Sequence, residues 1–115
     1  MSKARTKLVA MFDTLAHAET VRTQIVTQLA GKDVFQQHAL QTGVNDAGQP
    51  FLLAGWRFNA IADRDAIRDW LRDQAQNHPV VKNWVIGARL SWHRCTHDEP
   101  TPQPCRVTDY AEFVK

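Results

Sequence analysis

The chain has 115 residues, 43% of them hydrophobic and 23% charged, which is the ordinary composition of one globular domain and excludes disorder. Fourteen basic against twelve acidic residues leave a net charge of +2, too small a bias to mark nucleic acid or an anionic membrane as the partner. The apolar run Leu8-Val9-Ala10-Met11-Phe12 is too short for a secretory leader or a membrane span, so a cytoplasmic protein with Cys95 and Cys105 as thiols is expected.

Lys3, Arg5 and Lys7 read as cations on a solvated N-terminal end. Residues 7–12 then form a buried strand, closed by the capping pair Asp13-Thr14. Leu15, Ala18, Val21, Ile25 and Leu29 recur at three- and four-residue steps, predicting a helix over about 14–30 that Gly31 stops. His17 lies off that stripe as a solvated polar residue. Residues 34–43 and 51–59 read as two strands joined by the turn formers Asn45-Asp46-Ala47-Gly48. Asp63 is the expected cap of a second helix, about 63–77, with Ile67, Trp70, Leu71 and Ala75 on its apolar side. Arg64, Asp65, Arg68, Asp69, Arg72 and Asp73 alternate in sign as on a solvated face, and Asn77-His78-Pro79 ends the helix.

Residues 83–93 form the last clear strand, with Trp84, Ile86, Ala88, Leu90 and Trp92 alternating on one face. Pro100, Pro102 and Pro104 make an extended loop of residues 98–106, and Tyr110, Phe113 and Val114 in the tail stand at helical spacing. A single domain spanning 1–115 is expected, with its core at about 7–95 and the loop and tail at about 96–115. The order strand–helix–strand, repeated once, is the signature of the ferredoxin-like split βαβ, an α+β fold. Right-handed crossovers place four antiparallel strands in the order 4-1-3-2 with both helices on one face.

The uncovered sheet face is the candidate site. Alternation assigns to it Phe51, Leu53, Gly55 and Arg57 from the third strand, and Val85, Arg89, Ser91 and His93 from the fourth. The second strand offers either Gln36, His38 and Leu40 or Gln37, Ala39 and Gln41, because a one-residue slip exchanges the two sets. Guanidinium groups present planar donor forks to carboxylate or phosphate, so Arg57 and Arg89, with Ser91, His93, His38 and Phe51, are the candidate ligand-binding residues. Tyr110 and Phe113 are expected to dock rather than hang free.

The expected function is a small homodimeric binding or interaction protein whose open faces meet around a mixed apolar and basic pocket for a small anionic ligand. An enzyme of dimeric ferredoxin-like barrel type, using a pocket histidine, is one alternative; single-stranded nucleic-acid binding is a further one. The nucleic-acid reading lacks a basic–Gly–aromatic–Gly run. No cofactor is expected. His93, Cys95, His97 and Cys105 do not follow the familiar zinc spacings, and no metal is expected either.

Overall fold

The computed structural model describes residues 4–95 and 107–115. In chain order the elements are β1 (Ala4–Phe12), α1 (Leu15–Leu29), β2 (Val34–Val44), β3 (Pro50–Phe58), α2 (Ile61–Gln76), the single turn α3 (Val81–Trp84), β4 (Val85–Cys95) and β5 (Val107–Phe113). All the strands join one antiparallel sheet in the spatial order β2-β3-β1-β4-β5. The 4-1-3-2 order is present within it, but the sheet has five strands where four were expected.

The fifth strand comes from the tail, whose apolar spacing marked it as helical. A segment this short is marginal as an isolated helix, whereas the outer edge of β4 offers a row of unpaired main-chain donors and acceptors. β5 takes that row, pairing residue by residue from Arg89↔Phe113 to Cys95↔Val107. Val114 then turns inward and is buried in the core. The expected proline-rich loop and the Cys95, His97 and Cys105 thiol and imidazole groups lie outside the described residues.

Alternation along each strand decides which side chains meet the helices. Leu8, Ala10 and Phe12 of β1, Leu52, Ala54, Trp56 and Phe58 of β3, and Ala88 and Leu90 of β4 form one buried cluster with Ala18, Val21 and Ile25 of α1 and Ile67, Leu71 and Ala75 of α2. Both helices therefore cover the same sheet face, and each large apolar side chain removed from water there contributes about 1.5–3 kcal/mol. Thr6 shares this face and satisfies its hydroxyl by donating to the Ser91 carbonyl at 3.1 Å.

Two local irregularities move residues from their expected sides. The β1–β4 register shifts between Met11 and Phe12, so that Gly87 and then Val85 find partners and Ile86 is skipped. Ile86, expected in the core, is 59% exposed, and Val85, expected on the open face, is 5% exposed. Trp84 lies in α3 rather than in the strand, and its indole stacks on the His17 ring at 4.1 Å and 6°. His17 is thus a packed residue and not a solvated one.

The helix ends follow from their donors. Thr14 accepts from the His17 amide at 3.1 Å and caps α1. Asp13 accepts at 2.8 Å both from Thr14 N–H and from His17 Nδ1. Desolvation works to raise the Asp13 pKa, but these hydrogen bonds and the His17 charge outweigh it and hold the carboxyl below its ordinary value. α2 starts earlier than expected, at Ile61, after Ala60, which makes no side-chain cap. Asp63 instead accepts from the Asp33 amide at 2.9 Å, tying α2 to the start of β2. His78 is likewise more than a surface residue, since its Nδ1 accepts from the Val80 and Val81 amides at the start of α3.

The β2–β3 hairpin closes at Gly48, whose φ of +78° lies in the left-handed region. Nothing stands within 4 Å of where a Cβ would be. Gly48→Ala is therefore expected to lose about 1 kcal/mol through backbone conformation alone, read as a lower urea midpoint at unchanged m. Gly48→Asn, which tolerates this region better, should lose less. Equal stability of all three proteins would refute the assignment.

Candidate functional site

The face of the sheet away from the helices is crossed by rows of paired residues. The first row runs Gln36, Arg57, Arg5, His93, and Asp109 takes its β5 position. The second runs Ala39, Gly55, Lys7, Ser91, Ala111, and the third Gln41, Leu53, Val9, Arg89, Phe113. A fourth, Gly43, Phe51, Met11, Gly87, completes the face. Polarity is thus graded along the strands, cationic in the first row and apolar in the fourth.

A cavity of about 540 Å³ opens over the first three rows. Arg5, Lys7 and Arg89 supply its cations, His38, Ser91 and His93 further polar groups, Gly55, Ala39 and Ala111 its low floor, and Leu53, Trp92 and Tyr110 its apolar wall. Among the residues whose side chains are described no carboxylate lines it, and none of Arg5, Lys7, Arg57 and Arg89 is ion-paired there. Arg57 Nε is buried without a hydrogen-bond partner.

Four of the expected ligand-binding residues, His38, Arg89, Ser91 and His93, meet at this cavity. Arg57 stands beside Arg5 just outside the lining, and Phe51 lies farther along, its ring tip 3.0 Å from where a Cβ on Gly43 would be. The two alternative sets on β2 are both corrected. Bulges between Val34 and Gln36 and between Gln37 and Ala39 change the parity, so that Gln36, Ala39 and Gln41 share rows with open-face residues. Gln37 accepts from Trp56 Nε1 at 3.2 Å and Leu40 packs on the core, both on the helix side.

Sequence reasoning missed Arg5 and Lys7. Taken as solvated end charges, they instead stand on β1, a central strand that begins at Ala4 rather than at residue 7. The signal was the alternation of Ala4, Thr6 and Leu8 with Arg5, Lys7 and Val9, which extends the strand backwards from its apolar run. Tyr110 and Ala111 were missed as lining residues because their strand was taken for a helix.

Behind the cavity α2 does more than face water. Arg64, expected on the solvated side, is 2% exposed. Its Nε donates to Asp65 at 2.8 Å, while its Nη1 reaches the main-chain carbonyls of Arg5, at 3.5 Å, and His93. Two first-row residues are therefore held from beneath by one guanidinium. Arg68 and Arg72 lie over the Trp92 indole at 5.3 and 5.5 Å, Tyr110 stacks against it at 5.5 Å, and Arg72 pairs with Glu112 of β5. Among the described residues no group of three or more His, Cys, Asp or Glu side chains is arranged to hold a metal. Among the described residues no helix is long and apolar enough to cross a membrane.

The chain matches no known family model and no curated protein. It is similar in fold to two solved structures, each described as a dimeric ferredoxin-like protein from an uncultured marine organism. The first superposes with a TM-score of 0.52 at 15% identity, over 88% of this chain and 100% of that one. For the second the TM-score is 0.50 at 6% identity, over 88% of this chain and 94% of that one. Identities this low establish the ferredoxin-like architecture and leave function to the site.

Proposed function

We propose that the chain is a small cytoplasmic homodimeric binding protein whose open sheet face receives a small anionic ligand. The observation that carries this reading is the cavity of about 540 Å³, which Arg5, Lys7 and Arg89 line with no carboxylate beside them among the described side chains. Cations with no ion-pair partner among the described side chains, beside a concave, half-apolar surface, suit an anion from outside. The dimer is supported by the other end of the face. Val9, Leu53, Met11 and Phe51 form an apolar stretch of the face, and Phe113, which is 81% exposed, ends the third row beyond Arg89. An apolar patch beside a cationic trough is covered most simply by its own copy around a twofold axis. Both structures of similar fold are themselves described as dimeric.

Sedimentation is expected to give twice the 13.1 kDa chain mass, and Phe113→Asp to give the single chain with its fold intact. A monomeric wild type would remove the dimer. Thermal shift against phosphates and short carboxylates tests the ligand separately. Stabilisation by at least one of them, lost in Arg89→Glu, is expected, and no shift from any of them would remove the anion site.

A further inference from the structure

We infer that the ligand carries at least two acidic groups, as a short dicarboxylate or a condensed phosphate does. The inference rests on the anion-site reading above and narrows it. Arg5, Lys7 and Arg89 occupy three successive rows of the face. Two residues of strand rise separate one row from the next, about 6.7 Å. The cations therefore stem from a line of positions and not from a single cluster, which an anion with two or more acidic groups matches better than a monoanion does.

Their mutual repulsion points the same way. Arg5 faces Arg57 directly across the β1–β3 pair, and like charges directly opposite one another destabilise a sheet. Lys7 adds a third positive charge one row on, with no carboxylate beside it among the described side chains. A monoanion relieves one of these contacts and leaves the rest. A ligand with two or more acidic groups bridges rows and relieves several at once.

The floor suits such a ligand. Gly55 and Ala39 lie beside Lys7, and on its other side stand Ser91, whose hydroxyl can donate, and Ala111. A Cβ on Gly55 would meet Thr6 O at 3.5 Å and the Lys7 stem at 3.7 Å, ordinary contacts that the fold tolerates. Glycine in a strand interior weakens the strand, so its presence here serves the depth of the trough rather than the backbone. Leu53, Trp92 and Tyr110 supply the apolar part of the lining, against which the body of such a ligand can lie.

The test is calorimetric titration at constant ionic strength with two series, acetate, succinate and citrate, and orthophosphate and pyrophosphate. Affinity is expected to rise at least tenfold from the first member to a later one in at least one series; which series does so tells carboxylate from phosphate. Lys7→Gln should abolish that rise while sparing the weak binding of the first member. Lys82→Gln, an equal charge change at an exposed position of α3, should leave every affinity unchanged. Gly55→Val, folded by circular dichroism, should bind none of them. Equal affinity along both series, or equal losses in Lys7→Gln and Lys82→Gln, overturns the inference and leaves the anion site standing. No binding by any probe fells the anion site itself.

Discussion

Removing residues 107–115 is expected to destabilise the protein by about 3–5 kcal/mol, a large share of the 5–15 kcal/mol that holds a domain of this size together. Four contributions are lost together. Val114 leaves the core, where a buried valine contributes about 1.5–3 kcal/mol. Tyr110 leaves the Trp92 ring, on which it lies at 15°, an aromatic contact of about 0.5–1.5 kcal/mol. Arg72 loses Glu112, a half-exposed pair of about 0.2–1 kcal/mol. Finally, β4 regains an open edge, including the Ala88 amide and carbonyl that now pair with Lys115 and Val114 at 3.3 and 2.9 Å. Thermal unfolding should show a fall in Tm on the order of 15 °C. The exposed edge should also make the shortened protein self-associate through strand pairing. An unchanged Tm would mean that β5 contributes nothing to the fold.

Arg64→Ala is expected to be nearly as severe, about 3 kcal/mol, although the residue lies on what the sequence presents as a charged outer face. The guanidinium is enclosed, and its donors serve carbonyls of two adjacent strands, at Arg5 and at His93. Truncation to alanine withdraws a buried charged donor from both and leaves its stem's volume empty. Arg64→Met fills the stem without supplying the donor and should recover part of the loss, roughly 1 kcal/mol. Urea unfolding at matched m-values separates the two. Since Arg64 also fixes the first row of the cavity, both variants should bind anions more weakly than their stability alone explains. A loss under 1 kcal/mol in Arg64→Ala would show that the clamp is not structural.

Much of the architecture was legible because it rests on local pattern. The helical stripe from Leu15 to Leu29, the turn formers before Pro50 and the alternation of Leu52, Ala54 and Trp56 each follow from one element's own periodicity. The two-fold repeat of strand, helix and strand then leaves few ways to build a sheet, and β1 and β3 side by side in its interior are a consequence of crossover handedness. Arg89, Ser91 and His93 could be assigned to one face for the same reason, since alternation is a property of the strand alone, whereas the face of His38 was left open.

Tertiary structure decided what depends on pairing between distant segments. The tail carries apolar residues that satisfy a helical spacing, and only the unpaired edge of β4 makes it a strand. The irregularity at Met11 to Phe12 reverses the faces of Val85 and Ile86, the bulges in β2 break both of its alternative sets, and nothing in one strand's composition says where its partner slips. Arg64 looked solvated because its neighbours alternate in charge, yet a guanidinium is buried wherever two carbonyls from other elements converge on it. The cationic line of Arg5, Lys7 and Arg89 belongs to this second class. The sequence separates Lys7 from Arg89 by most of the chain, and it is antiparallel pairing between β1 and β4 that sets them on adjacent rows.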